Sequence, residues 1–224
     1  PDIVVVQSES FFDPAIMRGY EHSDYAPHQR RLAAHGISGK LHVPTFGGGT
    51  IRTEFEVLTG LSLRYFDNLQ FPYLQMSHKS LPILVRTLEA HGYRTLALHG
   101  NDPSFWNRTT AFKAIGFDRF VSQSQFPANA PNDGKYMADS AMTDEIMVQL
   151  KNDGPPQFIF AISIEAHGPY DVEPARVAER DAIPVPEGIS GRDKLELQTY
   201  LYHLKHADAE LGRLVKLLAQ RQRP

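Results

Sequence analysis

The sequence predicts an α/β protein with a mostly parallel central sheet covered by helices on both faces. Short apolar, β-branched runs without polar alternation recur along the chain, as expected of strands buried on both sides. Stretches of helical apolar spacing lie between them, and strands alternating with helices give a doubly wound sandwich. Polar, chemistry-bearing clusters directly follow three of the runs, and in such sheets the ligand crevice lies beyond the carboxyl ends of the strands.

The first predicted strand is Ile3 to Val6, followed by Gln7-Ser8-Glu9-Ser10. A second is expected over Gly39 to Val43. Phe46-Gly47-Gly48-Gly49-Thr50 then opens a helix over Ile51 to Thr59, with Ile51, Phe55 and Leu58 on one face. Leu81, Leu84, Val85 and Leu88 space the next helix, closed by Gly92 in the C-terminal capping position. Thr95 to His99 is a strand leading into Gly100-Asn101-Asp102, and Asp139 to Lys151 a helix. Phe158 to Ile164 is the longest apolar run and leads into Glu165-Ala166-His167. Leucines and alanines at three- and four-residue steps make Asp193 to Leu218 a long amphipathic helix. The Pro-rich stretches at 127–131 and 182–186 read as surface loops, so residues 1–224 form a single domain.

Composition narrows the chemistry. The 224 residues carry a formal charge of -3, with no basic run to track a phosphate backbone, so nucleic acid is not an expected partner. The absence of cysteine excludes disulfides, thiolate metal sites and cysteine nucleophiles, leaving His, Asp, Glu, Ser and Thr. The apolar runs fall well short of the roughly 20 residues that span a bilayer, so the chain is expected to be soluble. It starts directly inside a strand-like run, as an excised piece of something longer would.

Three glycines before a helix leave backbone N–H groups uncovered at the positive end of the helix dipole, a ready anion site. Thr50 is expected at the N-cap, where its hydroxyl either caps the helix or acts as a nucleophile toward a phosphoryl or sulfuryl group. Glu9, after an apolar strand, is placed to present a hard-metal ligand, although a carboxylate at a strand end is also commonly just solvated. His99, Trp106, Asn107 and Arg108 lie within ten residues of one another after a strand. The Arg offers bidentate phosphate recognition, the His and Asn hydrogen bonds, and the Trp an apolar wall. The alternative makes Trp106 core and Arg108 a helix-start surface residue. His167 belongs to the same predicted sheet edge.

These residues resemble the lipoteichoic acid synthase and phosphoglycerol transferase family, in the sulfatase branch of the alkaline phosphatase superfamily. The matching pieces are Ile3-Val-Val-Val-Gln-Ser-Glu9-Ser, Gly49-Thr50-Ile-Arg-Thr-Glu54-Phe55, His99 through Phe105-Trp106-Asn107-Arg108, and Ser163-Ile-Glu-Ala-His167-Gly-Pro-Tyr, in the family's order. The resemblance implies an alkaline-phosphatase-like fold, with Glu9 as a divalent-metal ligand. Thr50 becomes the nucleophile that touches the metal and carries a covalent phosphothreonyl intermediate. His99, Trp106, Arg108 and His167 become residues of the phosphoglycerol pocket. It further implies manganese, with zinc or magnesium in relatives, an anionic phospholipid headgroup as donor and a glycan or polymer as acceptor. The resemblance also places the activity on the extracytoplasmic face of the bacterial cytoplasmic membrane, in a parent anchored by transmembrane helices.

The family's remaining metal ligands are an Asp-His pair after a strand that follows the long helix, whereas this sequence stops at Pro224. His203, His206 and Asp208 lie inside that helix, and His206 and Asp208 read as ordinary helix positions. The expectation is therefore a C-terminally truncated catalytic domain with weak metal binding and little turnover alone. A sulfatase or phosphodiesterase-type hydrolase is the neighbouring alternative, although Thr50 cannot be oxidised to formylglycine as a Cys or Ser can. A non-catalytic phosphoglycerol-binding domain is the alternative from another class.

Overall fold

The computed structural model describes residues 1–66, 69–75, 81 and 83–224. In chain order the elements are β1 (Ile3–Gln7), α1 (Pro27–His35), α2 (Thr50–Thr59), α3 (Pro72–Gln75), α4 (Leu84–Ala90), β2 (Arg94–His99), α5 (Arg108–Ile115), β3 (Arg119–Ser122), β4 (Asn132–Asp133), β5 (Tyr136–Met137), α6 (Asp139–Gln149), β6 (Gln157–Ile162), α7 (Val177–Asp181) and α8 (Gly191–Ala219). Four strands form one parallel sheet in the order β1-β6-β2-β3, and β4 and β5 pair as a small antiparallel hairpin.

Successive side chains of a strand point to opposite faces, and both faces of this sheet are covered. On one, Phe158, Phe160 and Ile162 of β6 and Ala97 of β2 pack with Ile51, Phe55 and Leu58 of α2, Val85 of α4 and Phe112 and Ile115 of α5. On the other, Ile159 and Ala161 of β6 with Leu96 and Leu98 of β2 meet Ala141, Met142 and Ile146 of α6 and Leu214 of α8. This explains why β6 reads as one continuous apolar run: neither face of it meets water.

Two expectations about elements are corrected. Gly39 to Val43 is irregular, not a strand; Leu41 and Val43 are exposed, so their apolar character serves no sheet. The strand β3 was not expected, because a run of four residues beginning with Arg119 carries too little apolar signal. By contrast α4 closes as its sequence predicts: Gly92 has φ +83, its N–H donates to Glu89 O, and Tyr93 N–H donates to Leu88 O, together a Schellman closure.

The helix α1 has no capping side chain of its own at Ala26. Its first N–H groups are satisfied from α8, where the buried carboxylate of Asp208 accepts from His28 N and Gln29 N, both at 2.8 Å. Asp208 is thus a tertiary cap, which corrects its reading as an ordinary helix position.

Candidate functional site

The parallel strands do bring their trailing clusters to one edge. A cavity of about 640 Å³ opens there, lined among others by Glu9, Gly47, Gly48, Thr50 and His167. The turn before α2 forms its floor. Gly47, Gly48 and Gly49 have φ of +66, +126 and +74, a backbone path that only glycine follows without strain. A Cβ added at Gly47 or Gly48 would meet nothing within 4 Å, so space for a ligand lies against this backbone. Gly49 is the N-cap, not Thr50, which is the first helical residue. The shift by one frees the Thr50 side chain from capping, since no side chain caps this helix end.

Glu9 is held at the rear of the cavity by its backbone, whose N–H donates to Ser163 Oγ at 3.3 Å. Its side chain is 4% exposed, and Oε2 has no hydrogen-bond partner. Burial pushes its carboxyl pKa up, against the pull of His167, an interaction with the Thr50 hydroxyl and the charge of Arg108.

His167 faces Glu9 with Nε2 at 3.6 Å from Oε2. Its Nδ1 lies 2.5 Å from the carbonyl of Gly168, an acceptor only, so Nδ1 carries a proton and neutral His167 has its lone pair on Nε2. Two lone pairs then face each other across the gap. The orphaned Glu9 oxygen and the Thr50 hydroxyl fit a hard divalent ion, which leaves the imidazole nitrogen free to take up a proton.

His99, Arg108 and Trp106 do not line this cavity. His99 is fully buried, donates from Nδ1 to Ile162 O at 3.0 Å and leaves Nε2 unpartnered. Burial, reinforced by the charge of Arg108, lowers its pKa to about 3, so it is a neutral imidazole. Arg108 is 1% exposed and spends its bidentate geometry inside the protein. Its Nη2 lies 2.5 Å from Glu54 Oε1 and its Nε 3.3 Å from Glu54 Oε2, while Nη1 has no partner. Tyr73 donates to the same carboxylate at 3.2 Å. Trp106 stacks on Phe71 with centroids 5.5 Å apart and lies tilted against Phe105. Both Trp106 and Asn107 have positive φ, +56 and +57, unusual for a bulky residue and a local strain just before α5.

Glu54 has no part in the sequence-level site, yet it is the partner of Arg108. Its signal was present: it falls on the buried face of α2 beside Ile51, Phe55 and Leu58, and a carboxylate there needs a cation. A second group was also missed. Asp133, Glu165 and His203 place ligand atoms within 4.8 Å of one another, and Asp133 and Glu165 line a cavity that Thr50 does not. His206, expected to be an ordinary helix position, faces the same place, 3.8 Å from both Asp133 and Glu165.

The chain resembles known proteins along its whole length. It is 34% identical to a Rhizobium meliloti protein whose name proposes a role in cyclic beta-1,2-glucan modification, over 100% of this chain and 34% of that protein. It is 30% identical to the capsular polysaccharide biosynthesis protein RkpI of the same organism, over 100% of this chain and 39% of the relative. The chain thus spans little more than a third of either. Among solved structures, the Streptococcus pyogenes phosphoglycerol transferase GacH, in complex with sn-glycerol-1-phosphate, superposes with a TM-score of 0.85 at 21% identity, over 99% of this chain and 58% of GacH. A sulfatase family profile matches residues 1–224, and the chain belongs to the sulfatase family, with lipoteichoic acid synthases and phosphoglycerol transferases of the alkaline phosphatase superfamily among its relatives.

Proposed function

We propose that this chain carries the Thr50 half of a phosphoglycerol transferase that moves a phosphoglycerol group from an anionic phospholipid headgroup to a glycan or polymer. The observation that carries the reading is the convergence of Glu9, Thr50 and His167 on a cavity floored by the open Gly47-Gly48 backbone. The polysaccharide-related names of the two rhizobial relatives support a glycan acceptor, and the phosphoglycerol transferase among the structural neighbours supports the transferred group.

In the first half-reaction Thr50 Oγ attacks the donor phosphorus. The Oγ–P bond forms, the bond from phosphorus to the lipid oxygen breaks, and that oxygen leaves protonated as the diacylglycerol hydroxyl. In the second, an acceptor hydroxyl attacks the same phosphorus and restores Thr50. The N–H groups of Gly48 to Ile51 at the start of α2 are placed to meet the non-bridging oxygens, whose charge grows in both steps. His167 Nε2, with its lone pair toward the cavity, is positioned to accept the Thr50 proton and return it to the leaving oxygen. A divalent cation held by Glu9 and Thr50, proposed as manganese with zinc and magnesium as alternatives, supplies when bound the positive charge that makes the Thr50 hydroxyl more acidic. Buried Arg108 and His99 act beneath the site, through the positions of Glu54 and β2, and not as direct phosphate ligands. The proposed setting is the extracytoplasmic side of the bacterial membrane. Among the described residues no helix is long and apolar enough to cross a membrane.

Incubation of the natural gene product with phosphatidylglycerol vesicles and intact-mass analysis tests this. A mass gain of one phosphoglycerol group is expected, mapped to Thr50 and absent from Thr50→Ala. Turnover retained by Thr50→Ala removes the nucleophile assignment. Glycerol phosphate binding without any adduct in either protein favours a binding domain.

A further inference from the structure

Outside the Thr50 cavity, four metal-ligating side chains converge from three parts of the chain: Asp133 in β4, Glu165 in the turn after β6, and His203 and His206 on α8. A cavity of about 510 Å³ opens onto Asp133, Glu165 and His206. His203 Nδ1 lies 3.2 Å from Glu165 Oε1, and His206 Nδ1 lies 3.8 Å from both Glu165 Oε1 and Asp133 Oδ2. Oxygen and nitrogen ligands at about 2.0–2.2 Å from a tetrahedral ion sit roughly 3.3–3.6 Å from one another. These three spacings bracket that edge, and the ligand atoms of Asp133, Glu165 and His203 all lie within 4.8 Å of one another.

The carboxylates are aimed by bonds from behind. Ala175 N–H donates to Asp133 Oδ1 and Tyr202 O–H to Asp133 Oδ2, at 2.8 and 2.7 Å, while Asp139 N–H donates to Glu165 Oε2 at 2.7 Å. Glu165 Oε1 is left to the imidazoles. This backing is what orients ligands in metal sites. Asp139, 7% exposed, lies beside Glu165, but its unpartnered Oδ1 belongs to a residue that lines a different cavity, with Val6, Ser8 and Glu210; the site rests on the ligand geometry. The cations at the rim are long, exposed side chains, Arg176 and Lys205, both engaged by Glu179. Arg176 also lies against His206, with Nη2 3.0 Å from Nδ1.

We propose that Asp133, Glu165, His203 and His206 form a second divalent-cation site, of the mixed carboxylate and imidazole kind that takes zinc. It is separate from Glu9 and Thr50 and does not rest on the transfer chemistry assigned to them. Its role is structural. Glu165 and His167 flank a single residue, so an ion here ties the turn that presents His167 to α8 and to the β4–β5 hairpin. Arg176 covers the site and yields to the ion.

The test is a titration of chelator-stripped protein with zinc chloride, followed by calorimetry and thermal unfolding. In Glu9→Gln/Thr50→Ala, one zinc per chain is expected to remain, with affinity within about threefold of the wild-type site and a raised Tm. His206→Ala, at a side chain 13% exposed, is expected to fold and to weaken that zinc at least tenfold. His203→Asn is expected to do the same, and Arg176→Ala to tighten it by removing a competing charge. Loss of all zinc in Glu9→Gln/Thr50→Ala, or wild-type zinc affinity in a folded His206→Ala protein, overturns the proposal. If His203→Asn does not fold, His206→Ala and Arg176→Ala decide the matter.

Discussion

Replacing Arg108 with alanine separates a phosphate ligand from a buried structural cation. The guanidinium is 1% exposed and its partner Glu54 is 0% exposed, so the substitution strands a carboxylate with only the Tyr73 hydroxyl facing it among the bonds described. Removing one member of a buried ion pair costs about 3–5 kcal/mol, most of it the penalty of the charge left behind. For a chain of this length each kcal/mol lowers Tm by about 2–4 °C, so Arg108→Ala is expected to unfold roughly 6–20 °C early. Urea unfolding followed by circular dichroism reads the free energy. The double substitution Glu54→Leu/Arg108→Met removes both charges while filling similar volume and is expected to recover more than half of the loss. An exposed ligand would behave otherwise: stability would stay within about 1 kcal/mol while affinity for glycerol phosphate fell by about 1.5–3 kcal/mol, the range for hydrogen bonds to charged groups. That pattern would refute the buried-pair reading.

Other predictions concern folding and pH. His99 stays neutral down to about pH 3, whereas an unfolded histidine takes up its proton near 6.5, so its contribution is whole above that value and is lost as pH falls toward 3. Between about pH 7 and about pH 5 the wild type should lose about 2 kcal/mol more than His99→Gln in urea titrations; equal losses would mean that His99 is protonated in the folded protein. Asp208→Ala should cost about 1–3 kcal/mol by uncapping α1 from a distance, with earlier amide exchange at His28 and Gln29. Unchanged exchange there would count against the tertiary cap.

Much of the sheet is legible in the sequence because burial on two faces leaves a strong compositional trace. Ile3 to Val6, Thr95 to His99 and the run from Phe158 have that trace, and it places their polar followers Glu9 and His167 at one edge. Gly39 to Val43 shows the limit, since a short apolar stretch says nothing of whether a partner strand exists. Arg108 shows another: a motif names a residue but not its neighbour, and whether a guanidinium meets a ligand or Glu54 depends on the packing of α2 on α5. The Asp133, Glu165, His203 and His206 group is illegible because its members sit as many as 73 positions apart, joined only when α8 crosses behind the hairpin.

The place of β6 in the sheet has a consequence for how the molecule comes into being. It lies between β1 and β2, yet is the last of the four sheet strands to be synthesised. Until residue 162 has left the ribosome, β1 has no neighbour to pair with among these strands, and Glu9 has neither Ser163 to hold it nor His167 to face. Pairings this distant in sequence close slowly, and during the wait the apolar Ile3-Val-Val-Val segment is open to wrong partners. The order of synthesis therefore makes the Ile3 to Val6 segment one that a holding chaperone would protect.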